Sequence, residues 1–243
     1  MRQQGGSNNR LLTVIPARNE AATVGEIVRR VRSVVGGEVL VVNDASTDDT
    51  SAQARLAGAT VIDLPYGLGA WGAARTGLRY AKRHLFRIAL TLDADGQHHP
   101  EELPVPLDGW RRSGANVAIG TFPQRLSIAK RFAWRYFRTL TGIGVQDFTS
   151  GLRVYDGHAI RVLASRKASL LDYQDLGVLM LLRKKGLRLH EVPTVMSPRR
   201  TGASRVFSSW PMVVRYMLHT TVLCFAQFGW HWRAAPTRTR ASA

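Results

Sequence analysis

From Leu11 to Thr121, short apolar runs rich in β-branched residues alternate with segments of helical periodicity, and few architectures accept that pattern. Leu11 to Ile15 is the first run. After Pro16 a helical pattern extends from Glu20 to Val35, with Val24, Ile27, Val28 and Val31 on one face. Gly36-Gly37 ends it, Glu38 to Val42 predicts a second strand, and Ser46 to Thr50 supply cap-type residues for a short helix reaching Ala57. Thr60 to Leu64 reads as a third strand, Ala70 to His84 as a helix and Arg87 to Leu92 as a fourth strand. Pro100 then opens a further helix. Such alternation predicts a mostly parallel sheet covered by helices, with ligands beyond the carboxyl ends of the strands. After Asn116 to Thr121 the pattern loosens. A basic amphipathic stretch (Ile128 to Leu140) and a polar segment (Asp147 to Arg153) precede a helix over Leu176 to Lys185 and a strand over Arg188 to Val192.

The chain has 243 residues, 45% of them hydrophobic, enough to bury one core and to exclude a disordered polymer. Thirty-four Lys and Arg against 17 Asp and Glu leave a formal charge of +17, which calls for anionic partners: phosphates, anionic lipid or nucleic acid. Cys224 is the only cysteine, so an internal disulfide and a cysteine zinc cluster are excluded, and a cytosolic location is the default. Residues 1–9 read as a flexible tail without a secretory h-region, and residues 233–243 as a basic disordered tail. Between Trp210 and Trp230 lies a hydrophobic helix-like segment interrupted by Arg215, His219 and Gln227. It suits a helix lying in a membrane interface better than one spanning it.

Three polar motifs fall at predicted strand ends. Leu92-Asp93-Ala94-Asp95-Gly96-Gln97 sets two carboxylates one residue apart. Mg²⁺ typically takes one or two carboxylates plus substrate phosphate oxygens, so Asp95, helped by Asp93 and Gln97, is a candidate metal site; a helix-capping turn is the plain alternative. In Val42-Asn43-Asp44-Ala45-Ser46-Thr47-Asp48, the Asp44 carboxylate can accept from a nucleotide base or simply cap the next helix. In Ile15-Pro16-Ala17-Arg18-Asn19-Glu20, Glu20 can reach a ribose hydroxyl or merely favour a first helical turn.

Taken together and in this order, the motifs resemble those of family 2 glycosyltransferases, especially the dolichyl- and polyprenyl-phosphate sugar synthases. The resemblance covers Leu11 to Arg205 and implies a three-layer α/β/α GT-A domain over residues 10–205, followed by an interfacial helix over 206–232. It implies that Pro16, Ala17, Arg18, Glu20 and Asp44 hold the nucleoside, and that Asp93, Ala94, Asp95 and Gln97 hold Mg²⁺ or Mn²⁺ and the diphosphate. Gly67-Leu68-Gly69, with Ala73 and Gly77, resembles the family's intervening glycine-rich stretch. Asp147 to Arg153, with Ser150 and Arg153, resembles its acceptor side. Arg199 to Arg205 resembles a loop closing over donor phosphates, with Arg199, Arg200 and Arg205 as clamps, and Arg199 and Arg205 join Asp93 and Asp95 as catalytic candidates. The activity so implied is inverting transfer of a sugar from a nucleotide diphosphate to a polyprenyl phosphate, by an enzyme peripheral to the cytoplasmic face of a membrane. A lipid or saccharide hydroxyl is the alternative acceptor, for which Asp147, Asp172 and Asp175 are candidate bases.

Departures from the family pattern matter. Arg18 stands where relatives carry an aromatic residue beside the base, which turns stacking into cation–π contact. Arg205 replaces a lysine, and Phe122-Pro123 occupies a place where polyprenyl-phosphate enzymes carry an arginine. Lys130, Arg131 and Arg135 are the substitutes at hand for an acceptor phosphate.

Two other classes are weighed. Gly67 to Gly72 matches the G-x-G-x-x-G of an NAD(P)-dependent oxidoreductase, with Asp93 21 residues beyond it. That fingerprint normally follows the first strand, and it leaves Asp95 and Gln97 without a role. The basic, aromatic Ala129 to Arg138 suggests a nucleic-acid-binding module, but a helix burying Phe132, Trp134, Phe137 and Leu140 with its cations solvated explains it as well. Neither class explains the acidic strand ends, so no nucleic-acid partner is expected. His98 and His99 read as surface or capping residues.

Overall fold

The computed structural model describes residues 10–122, 128–171, 176–196, 217–218 and 220–222. The elements in chain order are β1 (Leu11–Ala17), α1 (Val24–Val34), β2 (Glu38–Asn43), α2 (Thr50–Leu56), β3 (Thr60–Asp63), α3 (Gly69–Arg83), β4 (Ile88–Thr91) and α4 (Pro104–Ser113). They continue as β5 (Val117–Thr121), α5 (Ile128–Thr141), β6 (Arg153–Asp156), α6 (Gly157–Leu163), α7 (Leu176–Lys184) and β7 (Leu189–Pro193). The sheet has the order β3-β2-β1-β4-β6-β5-β7, and β6 alone runs antiparallel to its neighbours.

Side-chain alternation along the strands builds two cores, one on each face, and so three layers. Leu12, Val14, Leu40 and Val42 point to one face, where α3, α5, α6 and α7 pack with Trp71, Leu78, Trp134, Phe137, Ile160 and Leu179. Ile15, Val39, Val41 and Leu90 point to the other, against α1, α2 and α4. The α1 stripe of Val24, Ile27, Val28 and Val31 is buried at the helical spacing read from the sequence. Ile27→Ala there would cost about 2–5 kcal/mol. On the opposite face α3 crosses β1 so closely that a Cβ on Gly77 would strike the side chain of Val14.

Several boundaries differ from the sequence expectations for identifiable reasons. Residues 20–23 form a turn in which Glu20 O accepts from both Thr23 N and Val24 N, so α1 begins at Val24 and not at Glu20. Pro100 opens only a single 3₁₀ turn, Pro100–Glu102. A longer helix from Pro100 would need an N–H at residue 104, which Pro104 lacks, and α4 starts afresh there. Strand β6 and helix α6 were not anticipated. Asp156 ends the one and caps the other, its carboxylate accepting from Ala159 N at 2.7 Å. On α5, Trp134 and Phe137 are buried as expected, whereas Phe132 is 61% exposed, one turn from the exposed Tyr136.

Candidate active site

The parallel strands deliver their carboxyl ends, and β6 its amino end, to one edge of the sheet. Every motif singled out in the described residues lies along that edge. A separate pocket lined by Arg10, Leu11, Val35, Gly37, Glu38, Phe86, Ile88, Leu107 and Arg111 lies at the opposite edge and contains none of the motif residues.

The chain leaving β1 is clasped to the chain leaving β2. Asp44 N donates to Ala17 O at 2.8 Å, beside the paired Pro16 and Val42. Asn19, at φ 57°, accepts from Thr47 N at 2.9 Å while its own N–H donates to Ser46 Oγ at 2.9 Å. Glu20 N donates to Thr50 Oγ1 at 2.8 Å, and Ala21 N to Asp48 Oδ2 at 3.1 Å. Burial pushes the Asp48 carboxyl up, but hydrogen bonds from the Thr50 hydroxyl and from the Ala21 and Thr50 amides outweigh it and hold the group below its ordinary range. Thr23 Oγ1 donates to Ala94 O at 2.7 Å and lies 3.0 Å from Glu20 Oε2, so it links this turn to the Asp93–Gln97 loop.

Asp44 is buried, and its two oxygens accept from Leu68 N at 2.5 Å and Gly69 N at 3.0 Å. A carboxylate offers about four lone-pair sites, so the glycine loop takes two of them. The Arg18 guanidinium is 4.0 Å from Asp44 Oδ2 and lies against Gly67, where an added Cβ would sit 2.6 Å from Arg18 Nη1. The cation expected beside the base thus covers the loop that opens α3.

The Asp93–Gln97 loop follows β4. The Asp93 side chain is 42% exposed, while Asp95 and Gln97 are buried, and Gln97 N donates to Asp95 Oδ1 at 3.1 Å. Two carboxylates and an amide are hard oxygen donors of the kind Mg²⁺ and Mn²⁺ take. Among the described residues no three His, Cys, Asp or Glu side chains converge into a cage. His98 is not a surface residue: it is 3% exposed, its Nε2 lies 3.7 Å from Asp93 Oδ2, and its ring packs on Phe122.

The Asp147–Arg153 segment meets this loop directly. Thr91 Oγ1 donates to Gly151 O at 2.7 Å, and a Cβ on Gly151 would lie 2.5 Å from both Asp93 oxygens. Asp147 closes its own turn, Oδ1 accepting from Thr149 N and Thr149 Oγ1 at 3.0 Å each. Glu191 on β7 was not singled out from the sequence, because a lone Glu in a short strand carries no motif. Its Oε1 accepts from Gln146 N at 2.6 Å and Asp147 N at 3.3 Å. Burial, and less strongly the Asp147 charge, raise the Glu191 carboxyl above its ordinary range despite those two amides. Ser150 is buried, and its hydroxyl has no hydrogen-bond partner among the described residues.

Arg153 corrects one expectation. It is fully buried and turned inward, Nε donating to Ser150 O at 2.9 Å and Nη2 to Phe148 O at 2.7 Å, so it braces the Asp147–Arg153 loop from beneath and presents no surface to a ligand. Arg131 and Arg135 are exposed on α5. Arg199, Arg200, Arg205, Asp172 and Asp175, the tails 1–9 and 233–243, and most of the Trp210 to Trp230 segment lie outside the described residues.

The profile described as Glycosyl transferase family 2 matches residues 13–168. The chain belongs to glycosyl transferase family 2. This family 2 enzyme is 30% identical over 220 residues to the polyprenol monophosphomannose synthase of Mycolicibacterium smegmatis, with 82% of each chain covered. It is 28% identical over 214 residues to the undecaprenyl-phosphate mannosyltransferase of Micrococcus luteus, with 81% of this chain and 87% of that one covered. Its fold is GT-A. A solved neighbour is glucosyl-3-phosphoglycerate synthase from Mycobacterium tuberculosis in complex with Mn²⁺, uridine diphosphate and phosphoglyceric acid. The TM-score is 0.69 at 18% identity, over 92% of this chain and 80% of that one. Membership of family 2 removes the oxidoreductase reading of Gly67 to Gly72, since the first of those glycines lies under Arg18 and Asp44 holds the amide of Gly69.

Proposed function

We propose that this family 2 glycosyltransferase moves a sugar from a nucleotide diphosphate to a polyprenyl phosphate, with inversion at the anomeric carbon. One observation carries the reading beyond the family. Gly151 stands against the Asp93 carboxylate, and among the described residues the two carboxylates beside that loop each already hold it through one oxygen: Asp147 Oδ1 accepts from Thr149, and Glu191 Oε1, on β7, from Gln146 N and Asp147 N. A hydroxyl acceptor normally needs a positioned base, whereas a phosphate monoester is already anionic near neutral pH and attacks without one. The names of the two bacterial relatives support the same acceptor class.

In this reading the 17–21 and 44–50 segments, with Arg18 and Glu20, seat the nucleoside, and Asp93, Asp95 and Gln97 hold Mg²⁺ or Mn²⁺. That cation neutralises charge developing on the departing nucleoside diphosphate. Arg199, Arg200 and Arg205 clamp the diphosphate, and Arg131 and Arg135, exposed on α5, supply cations for the acceptor phosphate. Arg153 holds the Ser150 loop in shape.

The enzyme works as a peripheral protein at the cytoplasmic face of a membrane. Among the described residues no helix is long and apolar enough to cross one. Phe132 and Tyr136 on α5, beside Arg131 and Arg135, and Leu218 and Val222 are all exposed, and Tyr136 Oη lies 3.3 Å from Thr221 Oγ1. The two helical segments therefore offer apolar and cationic groups side by side, as an anionic bilayer requires.

The test is an assay of purified full-length protein with Mn²⁺ and a panel of nucleotide sugars, following released nucleoside diphosphate with and without undecaprenyl phosphate. Release that depends on undecaprenyl phosphate supports the proposal. Turnover onto a lipid or saccharide hydroxyl instead overturns the acceptor, and full activity in EDTA overturns the cation.

A further inference from the structure

We propose that His98 is a positioning residue for Asp93, a buried donor that sets the orientation of the carboxylate toward a divalent cation. The inference rests on the cation reading above and goes beyond it by assigning work to a side chain outside the Asp93, Asp95 and Gln97 set. His98 is 3% exposed, and neither ring nitrogen has a hydrogen-bond partner among the described residues. Leaving a buried polar group unsatisfied costs about 1–3 kcal/mol, so an imidazole is a poor choice here if its task is only to fill space beside Phe122.

The geometry says where the missing bond goes. Nε2 lies 3.7 Å from Asp93 Oδ2, half an ångström or so beyond hydrogen-bonding range. The ring is held in place, 5.6 Å between centroids from Phe122, and its backbone is bridged to Met196. The Asp93 side chain is 42% exposed. On one side the backbone of Gly151 stands so near that a Cβ would come within 2.5 Å of both carboxylate oxygens. A small rotation of Asp93 toward His98 closes the hydrogen bond and leaves the carboxylate's other lone pairs for the cation. An imidazole carrying its proton on Nε2 supplies the single N–H this needs. Partners of this kind, one bond removed from the metal, typically change its affinity 10- to 100-fold.

The experiment is a Mn²⁺ titration of full-length protein followed by electron paramagnetic resonance, with UDP or GDP present, whichever binds more tightly. Wild type is compared with His98→Phe, His98→Asn, Asp93→Asn and the double variant His98→Phe/Asp93→Asn, with thermal unfolding of each. The expected result is Mn²⁺ affinity lowered roughly 10-fold or more by His98→Phe without loss of thermal stability, and largely restored by His98→Asn, which returns an N–H donor. In the Asp93→Asn background, His98→Phe should add no further loss. If His98→Phe does not fold, the same comparison is made with His98→Asn against His98→Ala, the alanine variant expected to show the loss. Wild-type Mn²⁺ affinity in the variant that lacks the donor, or a loss of equal size with and without Asp93, overturns the proposal. If Asp93→Asn weakens Mn²⁺ while the His98 variants do not, only the role of His98 fails. If wild type binds no Mn²⁺, the cation reading fails and the role of His98 with it.

Discussion

The carboxylate of Asp44, at the end of β2, holds the backbone amides of Leu68 and Gly69, at the mouth of α3, at 2.5 and 3.0 Å. One side chain thereby joins two of the family's motifs, the acidic strand end and the glycine-rich turn. Asp44→Ala leaves both amides without an acceptor and should destabilise the protein by about 1–3 kcal/mol. Asp44→Asn keeps one acceptor oxygen and should fall between the two. Denaturant midpoints rank the three proteins, and equal midpoints for wild type and Asp44→Ala would remove Asp44 from this role.

Gly151→Ala should separate two loops that now touch. The added Cβ would lie 2.5 Å from both oxygens of Asp93, well inside contact distance. Because the collision is at the rim of the sheet, Mn²⁺-dependent nucleotide binding should fall by at least 10-fold, a loss of about 1.4 kcal/mol. The unfolding midpoint should move little. Calorimetric titration with Mn²⁺ and UDP or GDP, beside a melting curve, separates the two effects.

Glu191 carries a charge in a place that resists it. A carboxyl whose folded pKa is raised takes up its proton more readily when folded, so it favours the folded state at low pH. That advantage is lost as pH rises from the ordinary Glu value of about 4.3 through the raised value. Glu191→Gln keeps an oxygen for Gln146 N and Asp147 N and removes the charge, so it should equal or exceed wild type at pH 7 and lose that margin toward pH 4. Glu191→Ala should cost about 1–3 kcal/mol at both. Melting temperatures across this range are the measurement, and a Glu191→Gln protein less stable than wild type at pH 7 contradicts the argument.

Asp63 behaves in the opposite sense. Hydrogen bonds from Ser51 and Asn43, then the Arg55 guanidinium, lower its carboxyl to about 2. The stability this contributes is present above the unfolded value of about 3.9 and is lost as pH falls through 2. Wild type should therefore exceed Asp63→Asn at pH 6, with the gap closing between pH 4 and 2. The side chain is 47% exposed, so solvent screening keeps the gap small. A gap independent of pH would assign it to lost shape instead of lost charge.

The first half of the chain is legible because its signals are local. Val24, Ile27, Val28 and Val31 repeat at helical spacing, Gly36-Gly37 interrupts them, and each strand is a compact apolar run ending in a polar motif. Strand β6 is not legible in that way: Arg-Val-Tyr-Asp is short and charged at both ends, and it becomes a strand only by pairing with β4 and β5. Arg153 looks like an anion-binding residue in sequence because nothing local reveals that Phe148 and Ser150 turn their carbonyls toward it. The motif residues Asp44, Asp93 and Asp95 were legible, but their partners were not. Leu68, Gly151 and His98 reach them through contacts that depend on the finished sheet, and His98 owes its burial partly to a backbone bridge with Met196.

The reversed direction of β6 gives the chain between β5 and β6 a particular freedom. It leaves the sheet after Thr121 and returns at Leu152, on the same edge and on a neighbouring strand, with Gly120 N donating to Leu152 O at 2.9 Å. Residues 122–152 are thus a closed excursion whose two ends are pinned side by side. Closing a longer excursion costs only about 0.6 kcal/mol per doubling of length, so residues can be added outside its buried Trp134, Phe137 and Phe148 at little entropic cost. Nothing in β1, β2 or α3, which carry the nucleotide motifs, needs to shift register to accommodate the change. On the proposed function, one nucleotide-binding frame could be refitted to new acceptors by exchanging this single stretch, within the limit set by the small residue at 151 that must still slip past Asp93.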